Sequence, residues 1–243
     1  MILLFTDFGH AGPYVGEMQA VLAAGAPRVP TVDLMHDAPQ FEPRAAAYLL
    51  AALAERAPAG SVFLAVVDPG VGTERAPLVV QAGGHSFVGP DNGLLSMVAR
   101  RAAPATAWEI VWRPERLSSS FHGRDLFAPI AAMLATGRVP EARPRDLTSL
   151  AGADWPDSLA EAIYVDAYGN VMTGLPAGKL SRETCLTVGD ARLHRAETFG
   201  AVAPGEAFWY ENSCGLAEIA VNRGSAAESL GLGIGSPIGV TGP

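Results

Sequence analysis

Residues 61–67, Ser-Val-Phe-Leu-Ala-Val-Val, are an unbroken β-prone apolar run, closed by Gly60 on one side and by Asp68-Pro69-Gly70 on the other. A strand without a polar face has to be covered on both sides, which predicts a helix-flanked, largely parallel sheet. Ile2-Leu3-Leu4-Phe5 and residues 31–35 repeat that texture. Helical periodicity lies between the runs. Residues 16–24 place Met18, Val21 and Leu22 on one face with Val15, and residues 43–56 turn Ala45, Leu49, Ala52 and Leu53 inward. Strand alternating with helix is an α/β signature. Residues 78–81 and 86–88 read as a hairpin around Gly83-Gly84, so the sheet is expected to be parallel or mixed, and residues 123–136 read as a further amphipathic helix.

The texture changes after residues 138–155, a Pro- and Arg-rich stretch read as a connection. Short alternating segments follow at 163–165, 186–188, 208–210 and 216–221, separated by Gly169-Asn170, Gly189-Asp190 and Pro204-Gly205. Turn residues at such spacing predict an all-β unit, a small barrel. The expected organisation is an α/β domain over residues 1–150 and a smaller C-terminal all-β barrel domain over residues 158–243.

Composition narrows the function classes. With 49% hydrophobic and 17% charged residues the chain can build a core and is not a disordered segment. Seventeen basic against 25 acidic residues give a net charge of −8, which speaks against electrostatic nucleic-acid binding. No apolar window reaches the roughly 18 residues of a membrane span. The first residues read as a strand and not as a leader, so a cytoplasmic location is expected. Cys185 and Cys214 are far apart and outside any CxxC pattern, which indicates neither a zinc site nor a disulfide framework.

Ligands in open α/β sheets sit beyond the carboxyl ends of the strands. Three runs here end in polar, glycine-bearing loops: Thr6-Asp7-Phe8-Gly9, residues 67–75 and Gly89-Pro90-Asp91-Asn92-Gly93. A fourth polar cluster, residues 118–125, opens the helix at 123. Asp68 and Arg75 are seven residues apart across a turn that can fold them into an ion pair; the plainer reading is a loop salt bridge worth roughly 0–1 kcal/mol if exposed. His122 reads equally as a helix-start residue. Together, Asp, Arg and His on convergent loops suit the holding and polarising of a water molecule. Asp7, His10, Asp33, His36, Asp37, Asp68 and His122 leave room for a divalent metal, although HExxH, EF-hand and Cys/His patterns are missing and turn caps explain residues 33–37 as well. Gly70-Val71-Gly72 lacks the Gly-Lys-Ser/Thr of a phosphate-binding loop, and GxGxxG does not occur.

Seen together, these loops resemble the S-adenosyl-L-methionine hydrolases (hydroxide adenosyltransferases), water-using relatives of the fluorinase and chlorinase enzymes. The resemblance rests on Thr6-Asp7-Phe8-Gly9, residues 67–75, residues 90–95 and residues 120–129. In the second half it rests on residues 166–170, residues 212–215 and residues 222–227. It implies an N-terminal α/β domain with the water-activating residues, a C-terminal β-barrel domain completing the substrate site, and a homotrimer with active sites at subunit interfaces. It also implies hydrolysis of S-adenosyl-L-methionine to adenosine and L-methionine by water attack at C5′, with no cofactor, metal, nucleic-acid or membrane partner. The family's Asp–Arg–His set falls on Asp68, Arg75 and His122. By the same resemblance Asp7 binds the ribose hydroxyls, and Phe121 and Phe199 flank the nucleoside. Asp166 and Ser213 hold the methionine part, Asn170 meets the adenine edge, and Phe8 and Tyr168 complete the substrate-binding set. Only 14 residues separate Arg75 from Pro90, without the insertion of the halogenating relatives, which places the chain with the hydrolases. Two positions depart from the pattern: Cys214 stands where hydrolases commonly carry an aromatic residue, and Gly174 where the family often has Asn. The alternatives from other classes are a metal-dependent phosphoesterase using Asp7, Asp33, Asp68 and His122, and a non-catalytic binder of S-adenosyl-L-methionine or adenosine.

Overall fold

The apolar runs become neighbouring strands of one sheet. In a computed structural model, which describes residues 1–242, the first of two units spans Met1–Trp155. Its elements are β1 (Ile2–Thr6), α1 (Tyr14–Gly25), β2 (Thr31–Met35), α2 (Pro43–Ala54), β3 (Val62–Val66), β4 (Pro77–Ala82), β5 (His85–Pro90), α3 (Ser96–Arg101), β6 (Ala105–Ile110), α4 (Ala128–Ala135) and β7 (Ala142–Arg145). The seven strands form a mixed sheet in the order β2-β1-β3-β5-β4-β6-β7. Strands β2, β1, β3 and β5 run parallel, whereas β4, β6 and β7 pair antiparallel.

All five residues of β1 and of β3 are buried, as strands without a polar face require. Ile2, Leu4, Leu64 and Val66 pack in one cluster with Met18 and Leu22 of α1 and Ile130 and Ala131 of α4. Full burial of such side chains contributes about 1.5–3 kcal/mol each. Helix α2 is buried nearly all round, from Ala45 to Ala52, and not on the single face expected, because its small alanines let neighbours close in on every side.

Two segments differ from the sequence expectation. The stretch read as a connection contains strand β7, paired with β6. Its arginines are what secure it: Arg143 donates to Glu109 at 2.7 Å and Arg145 to the other Glu109 oxygen at 3.4 Å. The edge position tolerates Pro144. The helix expected from residue 123 opens as a single π-helical turn, Gly123–Phe127, before α4 begins.

The second unit, Pro156–Pro243, contains β8 (Leu159–Val165), β9 (Val171–Pro176), β10 (Cys185–Val188), β11 (Ala191–Leu193), β12 (Ala207–Glu211), β13 (Leu216–Val221), α5 (Ala226–Leu230) and β14 (Gly239–Thr241). Its strands make two antiparallel sheets, β12-β13-β9-β8 and β11-β10-β14. They share a core of Val171, Leu186, Trp209, Ile219 and Ile238. Buried Trp209 satisfies its indole N–H on the Thr184 carbonyl at 3.0 Å. No helix among the described residues is long and apolar enough to cross a membrane.

Candidate active site

The chain leaves β1 through α1 to reach β2 on one side, then returns through α2 to β3 on the other. That reversal opens a crevice at the carboxyl ends of β1 and β3. Thr6 and Val66 are register partners, so Asp7 and Asp68 emerge at the same end of the sheet. The turn after β3 folds back as Val71 N–H donates to the Asp68 carbonyl and Thr73 N–H to that of Gly70. It delivers Arg75 onto Asp68: Nε donates to Oδ1 at 2.5 Å, and Nη2 engages Oδ2. The side chains are 9% and 5% exposed, so this is a buried two-pronged pair and not an exposed loop salt bridge. Gly72, with φ +84°, passes so near the Ser119 backbone carbonyl that a Cβ there would collide with it. The Asp68 turn is thereby held against the segment that leads into His122.

Asp68 and His122 line one cavity of about 170 Å³ with Phe8, Tyr14 and Phe121. The three aromatic rings wall it edge to face: Phe8 and Phe121 centroids are 5.8 Å apart, and Tyr14 and Phe121 5.3 Å apart. Burial lowers the His122 pKa, and the nearby Arg75 and Arg113 cations lower it further against an opposing Asp125. The imidazole is therefore neutral at physiological pH, with one ring nitrogen able to accept a proton. Asp125 ties down the approach to His122 by accepting Ser118 N–H at 2.8 Å and Arg124 Nε at 2.6 Å. Arg124 also lies over the Phe121 ring at 5.3 Å and reaches Glu17 on α1 at 2.5 Å.

Asp7 accepts the backbone N–H of Phe41 at 3.2 Å, and burial raises its pKa. The loop after β5 has a structural task. Asn92 donates to the Val67 carbonyl at 2.8 Å, and Asp91 accepts Ala151 N–H at 2.9 Å. Of the metal candidates, Asp33 and His36 meet, with Asp33 Oδ1 3.1 Å from His36 Nε2, and the His10 ring packs on that of His36 at 5.5 Å. Asp33 takes two hydrogen bonds from Gln19, and His36 Nδ1 pairs with Thr6 Oγ1 at 2.8 Å. Among the described residues no three His, Cys, Asp or Glu side chains gather where they would hold a metal ion.

In the second unit, Asp166, Tyr168, Asn170 and Phe199 line a cavity of about 670 Å³, together with Tyr210 and Arg223. Asp166 Oδ1 accepts the backbone N–H groups of Tyr168 (2.8 Å) and Asn170 (2.9 Å), and Oδ2 accepts the Asn170 side-chain amide at 2.9 Å. Phe199 packs edge to face on Phe208 and Tyr210. Ser213 is exposed beside Cys214 and is not part of this lining. Sequence reasoning missed Tyr14, Tyr210 and Glu218. A lone charge inside the apolar run 216–221 was the available signal for Glu218.

Residues 2–143 match the model of the SAM hydroxide adenosyltransferase N-terminal domain, and residues 160–239 that of the C-terminal domain. A protein from Thermus thermophilus named (R)-S-adenosyl-L-methionine hydrolase is 39% identical, over 98% of both chains. One of the same name from Salinispora tropica is 38% identical, over 97% of this chain and 95% of its own. Among solved structures, an uncharacterized conserved protein from Thermotoga maritima superposes with a TM-score of 0.88 at 33% identity, covering 99% of this chain and 100% of that one. A conserved hypothetical protein from Thermus thermophilus does so at 0.81 and 38%, covering 99% of each chain.

Proposed function

Because the chain belongs to the SAM hydroxide adenosyltransferase family, we propose that it hydrolyses S-adenosyl-L-methionine to adenosine and L-methionine by attack of water at C5′. The observation that carries the assignment of the chemistry is the Asp68 carboxylate, aimed by Arg75 and sharing one small cavity with neutral His122. The sulfonium leaves as a neutral thioether, so the reaction needs no general acid. Its difficulty is aligning a weak nucleophile opposite the departing sulfur, and positioning alone can supply up to roughly 7–11 kcal/mol. In this reading Asp68 and His122 hold the water, and Arg75 fixes the Asp68 direction. Arg75 also lowers the Asp68 basicity, which makes Asp68 an orienting group more than a strong base.

Asp7 has two acceptor oxygens suited to the vicinal ribose hydroxyls, and the Phe8 and Phe121 faces suit the nucleoside. In the second unit we assign Phe199 to the nucleoside, Asn170 to the adenine edge, Asp166 and Ser213 to the methionine part, and Tyr168 to the substrate-binding set as a whole. Assembly as a homotrimer with active sites at subunit interfaces belongs to the same proposal. So does a cytoplasmic setting, supported by two cysteines that are not joined in a disulfide. The phosphoesterase alternative is disfavoured by the residues themselves, since Asp68 is engaged by Arg75 and Asp33 by Gln19.

The test is incubation of the EDTA-treated protein with S-adenosyl-L-methionine. Equimolar adenosine and methionine support the assignment. Intact S-adenosyl-L-methionine together with manganese-dependent release of phosphate from a phosphate ester favours the phosphoesterase class, and tight binding without product favours a binding protein.

A further inference from the structure

Glu218 is a buried carboxylate, 3% exposed, in the middle of β13, and the chemistry above does not use it. Burial pushes its pKa up, against two donors that favour the charged form. Tyr210 O–H donates to Oε1 at 2.6 Å, and Asn212 Nδ2 donates to Oε2 at 2.7 Å. A carboxyl group placed in a core costs free energy unless its oxygens are paired, and here each oxygen has a fixed donor.

One partner leads to the second-unit cavity and the other to the turn between β12 and β13. Tyr210 lines the cavity, and its ring is 5.4 Å from that of Phe199. Asn212 uses its other amide atom, Oδ1, to accept the backbone N–H groups of Cys214 (2.9 Å) and Leu216 (3.0 Å), which shapes the turn that presents Ser213. One carboxylate thus anchors an aromatic wall through one oxygen and a polar turn through the other.

We infer that Glu218 is a positioning residue for substrate binding, setting the Tyr210–Phe199 face and the Asn212–Gly215 turn without touching the substrate. The inference rests on the reading that this cavity takes the nucleoside. Loss of the anchor leaves the water-holding groups of the first unit unchanged, so the effect belongs in KM and not in kcat.

The experiment uses the full chain with Glu218→Gln and, as a milder second variant, Tyr210→Phe. Each folded variant is expected to raise KM for S-adenosyl-L-methionine about tenfold with kcat within twofold of wild type, and to weaken adenosine binding by a similar factor in calorimetry. The double variant should lose no more than Glu218→Gln alone, because both changes cut the same tether. A merely structural role predicts a lower Tm with KM and adenosine affinity unchanged, and that result overturns the inference. If Glu218→Gln does not fold, Tyr210→Phe decides by the same criteria. Adenosine binding also separates the two levels of argument. A wild-type chain that binds adenosine but leaves S-adenosyl-L-methionine intact removes the proposed activity, and the variants' adenosine affinities still decide the role of Glu218. A wild-type chain that binds neither ligand overturns both.

Discussion

Arg75 grips both carboxylate oxygens of Asp68, and the pair is withdrawn from solvent at the carboxyl end of the parallel strands. Two consequences follow from chemistry alone. The carboxylate cannot rotate freely, so its remaining lone pairs point in fixed directions, and its negative charge is compensated, so it is a weak base. Neutral His122 lines the same cavity, and in the proposed mechanism it is the second polar group that holds the water molecule.

Replacing Asp68 by Asn keeps the shape of the side chain and removes its charge. Turnover should fall by about 100-fold or more. Adenosine affinity should remain within a few-fold of wild type. Single-turnover kinetics together with calorimetry check both halves of this statement.

Removing Arg75 leaves a buried negative charge without its partner. Arg75→Met should destabilise the first unit by about 3–5 kcal/mol. Adding Asp68→Asn in the same chain should recover part of that loss without recovering activity. Urea unfolding of the two single variants and the double variant measures it; simple additivity of the losses would count against the pairing.

His122 has a lowered pKa, from burial first and then from Arg75 and Arg113. Its neutral form therefore persists below the ordinary value of 6.5. Turnover should stay level as the pH falls through that value and decline only at lower pH, and His122→Asn should abolish this acid limb. Stability follows the same sign. The unfolded chain takes up the proton near pH 6.5 and the folded chain only below it, so the His122 contribution is intact above that pH and is lost as pH falls through the lower, folded value. A kcat profile and urea midpoints across the acid range test both.

Gly174 sits where β8 and β9 approach closely: a Cβ there would lie 2.6 Å from the Leu159 Cβ and 2.8 Å from its carbonyl oxygen. Gly174→Asn, which introduces that Cβ, should cost about 1–3 kcal/mol in this chain. Thermal unfolding of the variant reads the loss directly.

Much of this architecture was legible in the residue pattern, for identifiable reasons. Strands β1 and β3 are continuous apolar runs ending in Asp-containing loops, and runs of that kind have few alternatives. Strand β7 was not legible, because Ala-Arg-Pro-Arg has no apolar alternation; its place on the sheet edge is secured by Glu109, which is 34 residues from Arg143. The π-helical turn before α4 has no mark in the residue pattern; it opens at Gly123, where a Cβ would lie 3.1 Å from the Phe121 ring and 3.2 Å from the Met18 sulfur. At the site, the seven-residue spacing of Asp68 and Arg75 allowed their pairing, but not its burial. The ties from Glu218 to Tyr210 and Asn212 join two neighbouring strands and their connecting turn, and nothing in a linear reading marks which neighbours a buried carboxylate will choose.

The measurement that bears most directly on the central claim is incubation of the metal-free protein with S-adenosyl-L-methionine in ¹⁸O-water, followed by mass spectrometry of the products. Direct attack by a held water predicts adenosine carrying ¹⁸O at C5′, together with an equal amount of methionine. Unchanged substrate in the presence of folded protein, or adenosine without the label, would contradict it.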